Sequence, residues 1–172
     1  MKRPMRTLIV DGYNVIKQTP PYSHLAEGDL DAARAALVSD VSAFAHGEWK
    51  ATVVFDGHNN RASDGVSHHV AGVTVIFSRF GIEADSVIES LASAARERGD
   101  ETTVVTSDAA TQWAVLGGSV ARMSSAEFSD ELRDGCREWT EHAPAGSTSG
   151  RLEDRIAADT KLRLWRWARG ID

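Results

Sequence analysis

Apolar residues in this chain follow two rhythms. Short unbroken runs alternate with longer stretches in which an apolar residue returns every third or fourth position. The runs lie in "RTLIVD" (6–11), "KATVVFDGH" (50–58), "GVTVIFS" (72–78) and "ETTVVTSD" (101–108), with a weaker one in "GSVARM" (118–123). Runs of this length, rich in Val, Ile and Thr and bounded by Gly, Asp or Ser, predict buried strands. The helical rhythm appears over 29–47, where Leu30, Ala33, Leu37, Val41 and Phe44 share a face and Gly47 closes the segment. It returns over 83–99, where Ala84, Val87, Ile88, Leu91 and Ala95 do the same before Gly99. A third helix opens at Ser124, with Glu127 in capping-box spacing, and carries Phe128, Leu132, Cys136 and Trp139 as its apolar stripe. A short helix is expected after the fourth strand, through Trp113, and a last one from about Leu152 to Arg169. The polar stretch "NNRASDGVSHHV" (59–70) reads as a flexible loop or a poorly ordered hairpin.

Strands that alternate with helices predict an α/β fold: a mostly parallel sheet covered on both faces, with right-handed crossovers. "HAPAGSTSG" (142–150) has the composition of a linker. The expected organisation is therefore a domain over 1–141, a linker over 142–150 and an amphipathic basic helix over 151–172. The length of 172 residues suits one domain with a sizeable core. No apolar run approaches a membrane span, and the single cysteine, Cys136, allows no internal disulfide. Both features fit a cytoplasmic protein with no membrane partner. The net charge of -6 disfavours nonspecific coating of nucleic acid. That charge is uneven, since 151–172 hold six basic and four acidic residues.

In an open parallel sheet, ligands bind beyond the carboxyl ends of the strands, near the point where strand order reverses. Asp11 ends the first strand, Asp56 the second and Asp108 the fourth, while Glu83 and Asp85 open the helix after the third. Taken singly, each has a plainer role as a helix cap or turn residue. Taken together, five carboxylates on one rim raise each other's pKa unless something neutralises them. A divalent cation is the economical counter-charge. Oxygen-only ligands, with no Cys/His set at zinc spacing, point to Mg²⁺ or Mn²⁺. Asp11 is then a ligand and Gly12 allows close backbone approach. Asn14 adds a neutral amide able to orient a water or a phosphate oxygen. Tyr13 reads as a packing residue rather than a base-stacking one.

The ordered pieces "VDGYN" (10–14), "VVFDGH" (53–58), "GIEADSVIE" (81–89) and "VVTSDAATQ" (104–112) resemble the NYN domain, a branch of the PIN-like nuclease superfamily, and within it the YacP-like group. The resemblance spans roughly residues 7 to 140. It implies a PIN-like three-layer α/β/α sandwich with a Mg²⁺- or Mn²⁺-binding acidic site. It also implies endoribonuclease activity, in some relatives on ribosome-bound mRNA, leaving 5′-phosphate and 3′-hydroxyl ends. By motif position the catalytic set is Asp11, Asn14, Asp85 and Asp108, with Asp11, Asp85 and Asp108 holding the metal. Asp56, Glu83 and Ser107 stand behind them as supporting residues. The group often reads Gly-Glu-Thr-Ala-Asp where this chain reads Gly81-Ile82-Glu83-Ala84-Asp85. The first acid has moved one place, so the carry-over rests on Asp85 rather than Glu83.

Beyond the resemblance, the tail places Leu152, Ile156, Leu164 and Trp167 on one helical arc and Arg151, Arg155, Arg166 and Arg169 on another, with Trp165 near the second. Arginine beside an exposed aromatic suits RNA. A helix packed on the domain with a solvated basic face suits the pattern equally. His58, His68 and His69 read first as exposed loop residues. The alternative function is an RNA-binding module of the same fold with weak or no catalysis. Small-molecule phosphoryl transfer fits less well. Tyr13 stands where haloacid-type phosphatases need a second aspartate, and no lysine follows the fifth strand as receiver domains require. The oligomeric state stays open.

Overall fold

The computed structural model describes residues 5–107, 120–142 and 150–171, with side chains except those of 135–142 and 150–158. The short helix expected through Trp113, most of the 142–150 linker and Asp108 lie outside the described residues, as do the side chains of Cys136, Trp139, Arg151 and Arg155. The elements run β1 (Arg6–Asp11), α1 (Gly12–Gln18), α2 (Pro20–Gly28), α3 (Leu30–Ala45), β2 (Trp49–Phe55), β3 (Ser67–Val70), β4 (Val73–Phe77), α4 (Ala84–Glu97), β5 (Glu101–Val105), β6 (Val120–Met123), α5 (Ser125–His142) and α6 (Gly150–Ala168). The sheet order is β3-β4-β2-β1-β5-β6. Every pairing is parallel except that of β3 with β4. This is the α/β architecture expected, with a mostly parallel central sheet between helices and a C-terminal helix.

Both faces of the sheet are buried, which is why its strands are apolar runs rather than alternations. On one face Leu8, Val10, Val53 and Phe55 join residues of α1, α3, α5 and α6, including Val15, Leu37, Val41, Phe128 and Leu164. On the other, Ile9, Val54 and Val104 pack against Ala84, Ile88 and Ala92 of α4. The chain steps from β1 to β2 to β4 in one direction. Through α4 it then crosses to the far side of β1 and adds β5 and β6. The order therefore reverses between β1 and β5.

Two regions differ from the sequence-based expectation. Residues 12–28 form two short helices that the apolar rhythm did not announce, with prolines opening the second. The 59–70 stretch is a pinned loop that ends in strand β3. The Ser63 hydroxyl donates to the Ser78 carbonyl (2.8 Å), and the side-chain Oδ1 atoms of Asn60 and Asp64 accept from Ala62 N–H (3.0 Å) and Val66 N–H (2.9 Å). Side chain-to-backbone bonds of this kind leave no hydropathy signal. His68 and His69, expected in a loop, lie in β3. His68 stacks on Trp167, ring centroids 4.2 Å apart, and His69 Nδ1 meets Thr74 Oγ1 at 3.2 Å. The capping box at Ser124 is present: Ser124 N–H donates to Glu127 Oε2 (2.7 Å) and Glu127 N–H to Ser124 Oγ (3.2 Å).

Candidate active site at the carboxyl ends of the strands

Asp11 is the last residue of the central strand, at the reversal point. Its register partner on β2 is Val54, so Asp56 lies two residues beyond it on the neighbouring strand. Successive strand residues face opposite sides, which puts Asp11 on the side of Ile9, the side covered by α4. It is only 9% exposed. Oδ1 accepts the Asn14 backbone N–H at 3.2 Å and caps α1. The plain cap role is therefore present in the structure.

Asn14, one turn on, ties three elements together. Its Oδ1 accepts the backbone N–H of Ser107, just past β5, and the hydroxyl of Ser125 at the start of α5, both at 2.8 Å. Ser107 Oγ in turn accepts Ser125 N–H at 3.2 Å. With both oxygen lone pairs engaged, the carboxamide presents its NH₂ group as a donor, the polarity an anionic phosphate or a water oxygen needs. Asn14→Ala is expected to lower stability by about 1–3 kcal/mol, because it leaves the fully buried Ser125 hydroxyl without an acceptor. Asn14→Asp keeps both acceptors and should hold its denaturation midpoint closer to wild type, yet lose activity through a second negative charge beside Asp11. Equal loss of stability in both variants would show that the bonds are not what Asn14 supplies.

Asp56 sits in a different setting. His58 N–H donates to its Oδ1 (2.9 Å), the His58 ring Nδ1 lies 2.8 Å from both carboxylate oxygens, and Ser78 Oγ lies 3.3 Å from Oδ1. Burial pushes this carboxyl up, but the His58 and Ser78 bonds outweigh burial and hold it below the usual carboxylate range. Glu83 N-caps α4 without a side-chain bond, and Asp85 is in that helix's first turn, both exposed. Since α4 precedes β5 and runs back along the sheet, its first turn lies at the same rim as Asp11. Among the described residues, no three His, Cys, Asp or Glu side chains form a group that could hold a metal ion.

Tyr13 packs, as expected. Its ring tilts against Phe55 at 5.1 Å between centroids, and its hydroxyl accepts from Nε of the buried Arg34 at 3.0 Å. Arg34 also pairs with Asp31 at 2.5 Å. Burial raises the Tyr13 phenol above its ordinary pKa despite that guanidinium.

The profile of the YacP-like NYN domain matches residues 8–169. The chain belongs to the YacP-like NYN domain family. It is 28% identical to the uncharacterized protein YacP of Bacillus subtilis (strain 168), over 96% of this chain and 98% of that one. Two crystal structures of Rae1 (YacP) from Bacillus subtilis are similar at 29% identity and cover 95% of this chain. One, a tryptophan-to-leucine mutant, gives a TM-score of 0.68 over 98% of its own length, and the other gives 0.66 over 95%.

The C-terminal helix of this YacP-like NYN domain packs on α3. Thr160, Leu164 and Ala168 are buried, with Leu164 at 0% exposure within the main core. Lys161 pairs with Asp29, and the Asn60 amide donates to the Ala168 carbonyl. Arg169 lies 4.5 Å from the Trp165 ring centroid and 3.7 Å from Asp31. The structure therefore brings Trp165 and Arg169 together, while Arg166 is exposed with no ion pair among the described residues. Sequence reasoning missed Ser125 and Arg122, whose guanidinium Nε donates to the Thr106 carbonyl (3.3 Å) beside Ser107. Nothing in their local pattern marks them, because only the β5–β6 pairing carries them to the rim. A separate hollow of about 370 Å³ opens at the opposite rim between Arg6, Trp49, Glu101 and Val120. It lies at the amino ends of the strands, away from the carboxylates.

Proposed function

We propose that this chain is a metal-dependent endoribonuclease that hydrolyses RNA phosphodiester bonds, with cytoplasmic, ribosome-associated mRNA as its substrate. The observation that carries the reading is the Asp11–Asn14 unit, fixed at the strand-order reversal of a YacP-like NYN domain. Asp11, Asp85 and Asp108 are the residues that would hold Mg²⁺ or Mn²⁺. An all-oxygen donor set of this kind suits a hard divalent cation. When bound, such an ion supplies a water of lowered pKa and neutralises charge on the phosphoryl oxygens.

The chain's own part is positioning. The cap bond fixes the Asp11 carboxylate at the end of a rigid strand. The Asn14 NH₂ group donates to a phosphate oxygen, and the bond from Ser107 N–H to Asn14 Oδ1 ties the ends of β1 and β5 across the crevice. Water attacks the phosphorus in line, the bond to the 3′ oxygen breaks, and that oxygen takes up a proton and leaves as a 3′-hydroxyl while the phosphate stays on the 5′ side.

A second reading is an RNA-binding module of the same fold with weak or no catalysis, since a fold does not by itself fix an activity. Cleavage of a mixed-sequence single-stranded RNA, with Mn²⁺ or Mg²⁺ and with chelator, separates the two. Arg151, Arg155, Trp165, Arg166 and Arg169 would contact the RNA. Removing α6 is not a clean test, because Leu164 belongs to the core. Arg166→Ala is the better one: the slope of log affinity against log salt should shrink by about one, with no change in melting temperature. An unchanged slope would put Arg166 outside the RNA path.

A further inference from the structure

We propose that Phe80, flanked by Arg61 and Arg79, is a stacking platform for a base of single-stranded RNA close to the scissile phosphate. The inference rests on the nuclease reading and adds the form of substrate it takes.

Phe80 is an aromatic residue 49% exposed at the tip of a tight turn. Ile82 N–H donates to the Arg79 carbonyl (2.9 Å), and Gly81 sits at φ +81°, where a side chain would be strained. The turn is held from behind. Phe80 N–H donates to the Ser63 carbonyl (3.0 Å) and Gly81 N–H to the His58 carbonyl (2.9 Å). Gly57 N–H donates to Ser78 Oγ (2.8 Å). The backbone under the ring is thus fixed while the ring itself stays in water. A loop free to bury its aromatic side chain would do so. One fixed with the ring outward has prepaid the ordering that binding otherwise costs.

The surrounding chemistry selects the partner. The Arg61 guanidinium lies 5.9 Å from the Phe80 ring centroid, and Arg79 is the adjoining residue. Both are exposed, and among the described residues neither pairs with a carboxylate. In a chain of net charge -6, two free cations beside an outward ring form a local anion-attracting spot. A ring with one cation over it and a second on the adjoining residue matches a base and its phosphates. A duplex keeps its bases stacked on each other and offers no free face, so the strand must be single. The turn runs directly into Glu83 and Asp85. At no more than about 3.6 Å per residue, Phe80 stands within a few nucleotides of the rim.

The test uses the full chain and a short single-stranded RNA carrying a fluorescent adenine analogue. Binding is read by anisotropy and by stacking quench in chelator, and cleavage by gel with Mn²⁺. Phe80→Ala should weaken binding roughly tenfold, the loss of one stacked base, and remove the quench. Phe80→Trp should restore both, with melting temperatures unchanged throughout. If Phe80→Ala or Phe80→Leu binds and quenches as wild type does while metal-dependent cleavage persists, the platform is wrong and the nuclease stands. If Phe80→Leu alone keeps the affinity, the surface is a general apolar contact, as for a protein partner, and stacking is again wrong. If the wild type neither binds nor cuts RNA, the nuclease reading falls and the platform with it.

Discussion

Asp85→Asn is expected to reduce metal-dependent RNA cleavage by a factor of about a thousand or more and to leave the fold standing. The carboxamide keeps the shape of the side chain and removes its charge. The structural cost is small, because Asp85 is exposed and α4 is anchored by Ala84, Ile88, Ala92 and Ala95 on its other face. Losing a negative charge from the first turn of a helix costs about 0.3–1 kcal/mol. The chemical cost is larger. Charge stabilisation by a bound divalent ion is worth several kcal/mol in the transition state, and each 1.36 kcal/mol is about tenfold in rate. Losing about 4 kcal/mol therefore gives the thousandfold drop. The measurement is cleavage by wild type and variant in parallel, with a thermal melt of each. A well-folded variant that cuts at the wild-type rate would remove Asp85 from the site. Wild-type protein that binds RNA without cutting it would favour the binding module.

Gly12→Ala is expected to destabilise the protein by about 3 kcal/mol, the upper end for forcing extra volume into a packed core. A Cβ at this position would stand 2.5 Å from Cδ1 of Phe55 and 3.1 Å from Cγ1 of Val53. Phe55 is fully buried, with the rings of Tyr13 and Phe77 at 5.1 and 5.2 Å between centroids. The helix α1 must lift instead, and with it the N–H of Asn14 that fixes Asp11. Cleavage should fall along with stability. A denaturation midpoint equal to wild type would mean that Phe55 yields without cost, and the close approach at Gly12 would lose its reason. Gly28, whose added Cβ meets nothing within 4 Å, is the control.

Some of this was readable in the chain. The strands at 6–11, 50–55 and 101–105 declared themselves because a sheet buried on both faces needs unbroken apolar runs. Asp11 and Asn14 could be singled out because a carboxylate and a carboxamide end such a run. The capping box at Ser124 was legible because its two bonds are local. By contrast, α1 and α2 escaped notice, since short helices held by tertiary contacts carry little periodic signal. Of the two readings of 59–70, the hairpin is present, since β3 pairs antiparallel with β4, but the hold on the loop before it was not legible: Ser63 reaches Ser78, fifteen positions away.

The sequence by itself determined the type and order of the main elements, the family, and the end of the first strand at Asp11, whereas β2 stops at Phe55 and β5 at Val105, short of the acids expected to end them. Those depend on periodicity, turn chemistry and motif spacing, all properties of neighbours along the chain. Tertiary structure decided the rest. It put the strand-order reversal between β1 and β5, and so turned Asn14 into the joint of three elements through Ser107 and Ser125. It committed Leu164 to the core, making the C-terminal helix part of the domain body. It also left Phe80 facing water on a fixed turn. Each of these depends on partners far apart in sequence, and only the packed chain brings such partners together.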